Sequence, residues 1–544
     1  MFIKTNIFKA ISFRNHVKLP FSYWVLVCFR FVFTILPQRG YIHPDENIFI
    51  PKMILGPPLH FIRLVNPFSR YYLGIDLKTP YYLLVIPRLY ICLLSLINDY
   101  CLYRICVLYG QNFRNRLKIF ASSYVVLVYC CRSFSNSFEM IFFSILLLLV
   151  AEFLGLGSKV VGFKDFHLRI FMLITCSIPT VILLILVDSI YYGYLMIAEI
   201  ETLTISWNNW VVTPLNFLRY NSNMKNLTQH GLHPRWLHLA VNVPLLFNIL
   251  GVLAIITFIR GQYSKLPRIQ SITGLMLFSL VIPVAVLSVF PHQEARFIIP
   301  ILMPLVYLYG NHLHANETDG PKFRKLRNVL LYSWYILNLI LTIFFGFIHQ
   351  GGIYPFANDL HHEIKSVYGA HTHVITTHSY SIPTFLLQLE STNQIWRDKK
   401  TGHPYRLAPT TFIHKYGSLP MNDLFAMVDE ILTNAEILLH KHNKQYRFYI
   451  ASPCSLARDI QITASNYHYF DLIEEYSYYP HFCTEAIPKF PDSHDQLCVE
   501  NMLRHNESLI IDLNMLQRIS CFFKRFCFRI YKVNAKSKVR LDYN

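Results

Sequence analysis

The sequence predicts a mainly α-helical protein that crosses a membrane several times, followed by a small mixed α/β region. Three observations lead there. Of 544 residues, 53% are hydrophobic and only 15% charged, with a mean hydropathy of +0.32; a dispersed protein of this length needs a more charged surface. Long apolar runs recur at the length that crosses hydrocarbon. Alternate connections between those runs are basic, as cytosolic membrane flanks are. The net charge of +18 therefore belongs beside a membrane and not on nucleic acid, for no zinc-finger, phosphate-loop or RNA-binding signature accompanies it.

The first 18 residues, MFIKTNIFKAISFRNHVK, are basic and contain no acid. The apolar run at 20–37 follows without a small-residue cleavage site, which reads as a retained anchor with a cytosolic N-terminus. Further spans are expected at 81–98, 118–133, 138–156, 170–190, 241–259, 270–290, 297–313 and 329–349, about nine in all. The connections that this alternation makes cytosolic carry RNRLK, KVVGFKDFHLR, RGQYSKLPR and PKFRKLR. The far-side loops are then 38–80, 191–240, 291–296 and the chain from 350 onward. Two glycosylation sequons fall there, at Asn226 and Asn506, and a third at Asn316 would be cytosolic.

The division expected is a multi-span catalytic domain over 1–349 and a lumenal region over 350–544. In the latter, 445–452 alternates as a strand does and 420–441 has the pattern of an amphipathic helix. Twelve cysteines form no CxxC pair. Five of them, Cys454, Cys483, Cys498, Cys521 and Cys527, lie in this region, where a disulfide suits an oxidising lumen but its pairing is not legible.

Ionisable residues gather in the far-side loops. The first loop holds His43, Asp45 and Glu46, and the span at 170–190 ends with Asp188 at the membrane edge. The second loop supplies Arg219, Tyr220, Asn221, His230, His233, Arg235 and His238. The third, FPHQEARFIIP, pins His292, Glu294 and Arg296 between apolar runs. Ionisable groups at a bilayer edge are costly and line polar sites. Each also has a plainer reading. Adjacent acids are common in solvated loops, a histidine–glutamate–arginine run serves equally as an interfacial ion pair, and Asp188 suits a helix end. The histidines of 230–238 lack the i, i+4 spacing of a helical zinc pair, so no metal is expected.

Five stretches, RGYIHPDE, DSIYYG, TPLNFLRYNSN…LTQHGLHPRWLHLAVNVPLL, FPHQEARFIIP and FIHQGGIYP, together resemble glycosyltransferase family 22. These are α-mannosyltransferases dependent on dolichyl phosphate mannose and built on the GT-C membrane fold. The resemblance runs from about Gly40 to about Pro355, with an echo in HSYSIPTFLL at 378–387. HPDE and HxExRF are general to the family. The TPLNFLRYNSN…HGLHPR block and HQGG resemble the branch that adds a fourth, side-branch mannose to the glycosylphosphatidylinositol (GPI) precursor. Relatives usually follow HPDE with two aromatics and a glutamine, whereas this chain has Asn47, Ile48 and Phe49, so the amide at 49 is missing.

The resemblance implies an α-1,2-mannosyltransferase of the endoplasmic reticulum membrane with a lumenal site. Its lipid-linked donor is a co-substrate, no further cofactor is implied, and the acceptor is the third mannose of the GPI precursor. It implies Asp45 as the base, with Glu46 orienting or sharing that role. His292, Glu294, Arg296, Arg219 and Arg235 would face the donor phosphate or sugar, and His43, Asp188, Tyr220, Asn221 and His233 would line the acceptor side. Transfer of the third GPI mannose or of an N-glycan mannose remains open within the family. A transporter or lipid scramblase is the alternative of another class, and would place its charges near the midplane on related halves.

Overall fold

The computed structural model describes the chain except for residues 1–18, 37, 41–51, 161–174, 176–177, 180, 184, 191–193, 196–205, 207–208, 213–214, 217–218, 221–222, 224–231, 261–266, 268–270, 316–317, 367–369, 390–394, 398–403, 407–409, 443–444, 469, 493–513 and 537–544. His43, Asp45, Glu46, Asn47–Phe49, Asn221, His230 and the sequons at Asn226, Asn316 and Asn506 lie outside the described residues. The chain divides into two compact units. One comprises Met1–Phe29, Leu93–Val126 and Asn136–Leu337, the other Arg30–Cys92, Leu127–Ser135 and Asn338–Asn544.

Among the described residues five helices are long and apolar enough to cross a membrane: Pro80–Leu108, Ser135–Gly155, His238–Ile259, Ile272–Val289 and Pro321–Ile348. They coincide with the spans expected at 81–98, 138–156, 241–259, 270–290 and 329–349. The backbone of such a run satisfies its own hydrogen bonds, as hydrocarbon requires. Between 22% and 44% of the residues in the apolar stretch of each are buried within the protein. Phe21–Ile35 and Val181–Ile190 are shorter apolar helices.

Two expected spans are not continuous α-helices. Residues 118–133 break into Phe113–Ala121, Tyr124–Leu127 and the 3₁₀ turn Tyr129–Cys131, and 119–134 are buried throughout. Residues 297–313 become the 3₁₀ helix Ala295–Ile301, the α-helix Leu302–Tyr309 and the 3₁₀ turn Gly310–Leu313, with 301–307 wholly buried. Both segments are apolar because protein surrounds them. Irregular backbone is tolerated at membrane depth where protein covers it. In the first unit, Arg116 donates from Nε to the Tyr307 carbonyl at 2.7 Å, and the Trp334 indole donates to Ser122 Oγ at 2.9 Å.

Among its described residues the second unit carries seven strands: β1 His371–Thr376, β2 Ile395–Arg397, β3 Pro404–Arg406, β4 Thr411–Lys415, β5 Tyr446–Pro453, β6 Phe470–Tyr478 and β7 Phe528–Ala535. Five form one sheet in the order β4-β1-β5-β7-β6, and β2 pairs with β3 alone. β4, β1 and β5 run parallel, while β7 joins β5 and β6 antiparallel. Alternate residues feed two cores. Val374, Tyr449, Ala451, Phe528 and Ile530 pack with Phe356, Leu360 and Leu84. Ile375, Phe448, Ile450, Tyr531 and Val533 pack on Leu424, Phe425 and Val428 of the helix Met421–His442. With both faces of the sheet covered, β5 is buried without a break from Phe448 to Pro453, although its sequence alternates. The Cys454–Cys527 disulfide ties the end of β5 to the start of β7, and Cys521 is also disulfide-bonded.

The HQGG stretch is the joint between the last span and this sheet. After the π-turn Phe344–Ile348, Gln350 takes φ 59° and donates its backbone N–H to Phe482 at 2.9 Å, while Phe482 donates back to Ile348 at 3.0 Å. A Cβ on Gly351 would lie 2.2 Å from the Phe347 carbonyl oxygen, and one on Gly352 would lie 2.4 Å from Phe528 Cβ. Both glycines are required by close approach.

Candidate active site

In the first unit, two segments, 232–238 and 288–297, fold onto each other. The His233 backbone N–H donates to the Pro291 carbonyl at 2.8 Å. Between the charged residues of PHQEAR sits Gln293, only 2% exposed. Its Nε2 lies 3.2 Å from the Arg235 carbonyl, 3.3 Å from that of Ser288 and 3.1 Å from that of Phe290, and its Oε1 accepts the His238 backbone N–H at 3.0 Å. This buried amide satisfies backbone groups at the end of one helix, at the start of another and in the loops between. Charge alone does not single it out, so Gln293 is absent from the residues expected from the sequence.

The flanking side chains form a second layer. Glu294 accepts from Arg296 Nε on one carboxylate oxygen and meets His292 Nε2 at 2.9 Å on the other. The Arg296 guanidinium stands 5.8 Å from the Phe297 ring centre, and the His292 ring is 6.2 Å from that of His233. Burial pushes the Glu294 carboxyl upward, but Arg296 and His292 more than offset it, and the net shift is below the usual carboxylate range. Glu294 therefore stays ionised at neutral pH.

His238 opens the π-turn His238–Asn242 at the head of a span. Its Nδ1 lies 3.0 Å from Asn242 Nδ2. With that amide donating, the ring proton is on Nε2, which is buried and has no hydrogen-bond partner among the described residues.

Of the expected site residues, the structure brings His233, His292, Glu294 and Arg296 together and draws in the backbone of Arg235, whose residue is exposed. Asp188 lies in Val181–Ile190, and Arg219 and Tyr220 are exposed on a helical turn; these three stand outside the segments 232–238 and 288–297. Next to Asp188, Ser189 Oγ accepts the Val211 backbone N–H at 2.8 Å. Among the described residues no three histidine, cysteine, aspartate or glutamate side chains are arranged to hold a metal ion.

The second unit fixes the chain that leads into HPDE. Arg88, 2% exposed and within a span, donates to the Gln38 carbonyl at 2.8 Å. Gln38 Nε2 donates to Leu127 O at 2.9 Å. Gly40 donates its backbone N–H to Gly346 O at 2.8 Å, and Arg132 donates to the Gly40 carbonyl at 2.6 Å. A Cβ at Gly40 would sit 2.7 Å from the Phe345 carbonyl oxygen. Two buried guanidiniums thus clamp residues 38–40 immediately before the acidic stretch, a use of charge that satisfies backbone carbonyls at membrane depth.

Comparison with known proteins places this geometry. The pattern of the Alg9-like mannosyltransferase family matches residues 55–161 and 148–387. The chain is 30% identical to GPI mannosyltransferase 4 of Drosophila melanogaster, over 87% of each chain. It is 29% identical to GPI alpha-1,2-mannosyltransferase 4 of Homo sapiens, over 66% of this chain and 74% of that one. GPI mannosyltransferase 4 of Schizosaccharomyces pombe is 27% identical, over 74% and 81%. No solved structure matches. The family's match covers both the helical spans and the PHQEAR loop, and the chain belongs to the Alg9-like mannosyltransferase family.

Proposed function

We propose that this mannosyltransferase moves mannose from dolichyl phosphate mannose to the third mannose of a GPI precursor, making the α-1,2-linked fourth mannose by one inverting displacement. The observation that carries this reading is the likeness to GPI mannosyltransferase 4 over 87% of the chain. The reading also places the protein in the endoplasmic reticulum membrane with its site on the lumenal side. The Cys454–Cys527 disulfide supports an oxidising compartment for the C-terminal region. Charge alternation puts 38–80 and 291–296 on that same side.

A single displacement at the anomeric carbon needs a carboxylate to take the acceptor hydroxyl proton, worth roughly 10²–10⁴-fold when it is within hydrogen-bond reach. Asp45 takes that role, with Glu46 orienting it. Phosphate leaves as a stable anion, so the site needs positive charge in place of a strong general acid. Arg296 supplies it, aimed by Glu294 through Nε. Arg219 and Arg235 are the further cations on the loops.

The test is transfer to a three-mannose GPI acceptor in microsomes carrying Asp45→Asn or Glu46→Gln, beside mass spectrometry of GPI intermediates in cells lacking the protein. Loss of transfer and of the four-mannose species alone is expected. Wild-type rates in both variants would remove the acidic pair from the chemistry. Loss of the three-mannose species, or of N-glycan mannose, would move the acceptor.

A further inference from the structure

We infer that the helix Met515–Lys524 is a membrane-surface anchor that holds the C-terminal region against the bilayer at the end of the last span. Two independent features of the second unit lead to this, and neither depends on the reaction catalysed.

The first is what the helix shows to its surroundings. Leu516, Ile519, Ser520 and Phe523 recur at helical spacing on one face. Met515 is 59% exposed, Leu516 77% and Phe523 63%, and Phe490, which touches Phe522 of the same helix, is 43% exposed. By contrast, Ala457–Ser465 exposes Ile462 as its one large apolar residue, and Met421–His442 exposes only Met427 at 36% and Ile437 at 43%, ten residues apart. Cations rim the patch. Lys489 and Lys524 are exposed, Arg518 donates to the Pro491 carbonyl at 2.8 Å, and Arg525 donates to that of Lys489 at 2.9 Å. An apolar face rimmed by lysine and arginine is how a helix lies in the headgroup boundary, with cations reaching phosphates and apolar side chains entering the acyl region.

The second is where the helix hangs. A run of aromatic rings joins it to the last turn of the span Pro321–Ile348. Phe344 lies 5.4 Å from Phe482, Phe482 lies 5.9 Å from Phe526, and Phe526 lies 5.1 Å from Phe522. Phe522 in turn contacts Phe490 at 5.5 Å. His481 donates its backbone N–H to the Phe526 carbonyl at 2.9 Å, while Phe482 is hydrogen-bonded to Ile348 and Gln350. Residues fixed to the end of a membrane span lie at the membrane surface, where aromatic side chains concentrate. The exposed apolar face is therefore presented where lipid is the adjacent phase. The occupant to which we commit is the phospholipid surface.

The test uses the full-length chain in phosphatidylcholine nanodiscs. Leu516→p-benzoylphenylalanine and, separately, Phe523→p-benzoylphenylalanine are irradiated, and adducts are read by mass spectrometry. The same probe at Leu339, on the span, and at Ile462, on the other helix, sets the scale. Lipid adducts within about threefold of Leu339 and at least tenfold above Ile462 are expected for an interfacial helix. Yields at the Ile462 level, or adducts to protein alone, overturn the inference. Because the two probes sit on the same face, either one decides if the other variant fails to fold.

Discussion

Gln293 Oε1 receives the backbone N–H of His238 at 3.0 Å, and through that bond a buried amide joins the loop carrying His233 to the loop carrying Arg296. Removing the amide leaves buried carbonyls and an N–H without partners, a cost of about 1–3 kcal/mol. Gln293→Ala should therefore lower transfer roughly 10–100-fold, because a misplacement of even one ångström at positioned groups has effects of that size. The measurement is microsomal transfer normalised to folded protein. Undiminished turnover in the variant would show that the two loops are held by something else.

The Glu294–Arg296 pair makes a distinct prediction. Arg296→Lys keeps the charge but loses the Nε fork, so KM for the lipid donor should rise about tenfold with a smaller effect on kcat. Glu294 has a lowered carboxyl pKa, so its contribution is present above the ordinary carboxylate value and is lost only as pH falls through the lowered one. The pH–rate profile should accordingly carry no Glu294 inflection between about pH 5 and 8. Glu294→Gln should lower the plateau and leave the limbs in place; a shifted limb within that range would count against this arrangement.

How legible this was from sequence varies with the reach of the signal. Ser135–Gly155 and Ile272–Val289 are plain because length, hydropathy and flanking charge agree. Residues 118–133 and 297–313 read as continuous spans but are broken helices buried in protein, because hydropathy records that a segment avoids water, not the backbone form it takes or whether lipid or protein surrounds it. The helix Met421–His442 and the strand β5 were visible because amphipathicity and alternation are local patterns. The sheet order and the Cys454–Cys527 pairing are long-range and left no local mark. At the site, His292, Glu294 and Arg296 announced themselves as charge pinned between apolar runs, while Gln293 carries no charge and Arg88 lies inside a run that reads as a span. The HPDE stretch lies outside the described residues, so its geometry adds nothing to its chemistry.

The glycines of the joint and of the clamp should behave unlike their neighbour. Gly351→Ala would drive a Cβ to 2.2 Å from the Phe347 carbonyl oxygen and 2.5 Å from that of Pro480, and Gly40→Ala meets the Phe345 carbonyl oxygen at 2.7 Å. Backbone oxygens cannot swing aside, so each should destabilise by about 1–3 kcal/mol or more. At Gly346 the nearest atom to an added Cβ is Gln38 Cγ at 3.9 Å, and Gly346→Ala should be mild. Thermal unfolding in detergent ranks the three, and equal midpoints would contradict the close approaches.

Acid should loosen the C-terminal region. Burial lowers the histidine pKa of His481 to about 3 and of His349 and His373 to about 4, with Arg132 adding to the effect at His349 and His414 at His373. Folded pKa values below the unfolded one mean that unfolded chains take up protons first. Stability is then whole above about pH 6.5 and falls as pH drops from there toward 4, by about 1.4 kcal/mol per unit for each histidine. Hydrogen exchange in β1 and β5 should quicken at about pH 5 beyond the intrinsic correction. His373 stacks on Phe412 and Phe448, so His373→Phe should keep the fold and remove part of that dependence; an unchanged dependence would exclude His373 as its source.

The Cys454–Cys527 disulfide closes a sequence separation of 73 residues. On chain-entropy grounds such a closure stabilises by roughly 4 kcal/mol, through the unfolded state. The bond also joins strands that meet in a parallel-to-antiparallel sheet, where β5 and β7 are already paired and Cys454 donates its backbone N–H to the Cys527 carbonyl at 2.9 Å. Cys454→Ser should therefore leave the strand pairing intact but lower the unfolding midpoint of the C-terminal region, and reductant should do the same to wild type. The span Pro80–Leu108, whose cysteines Cys101 and Cys106 are buried outside any disulfide, should not respond. Limited proteolysis with and without reductant distinguishes the two parts, and equal protection of β5 and β7 in both conditions would mean that the sheet holds without its cross-link.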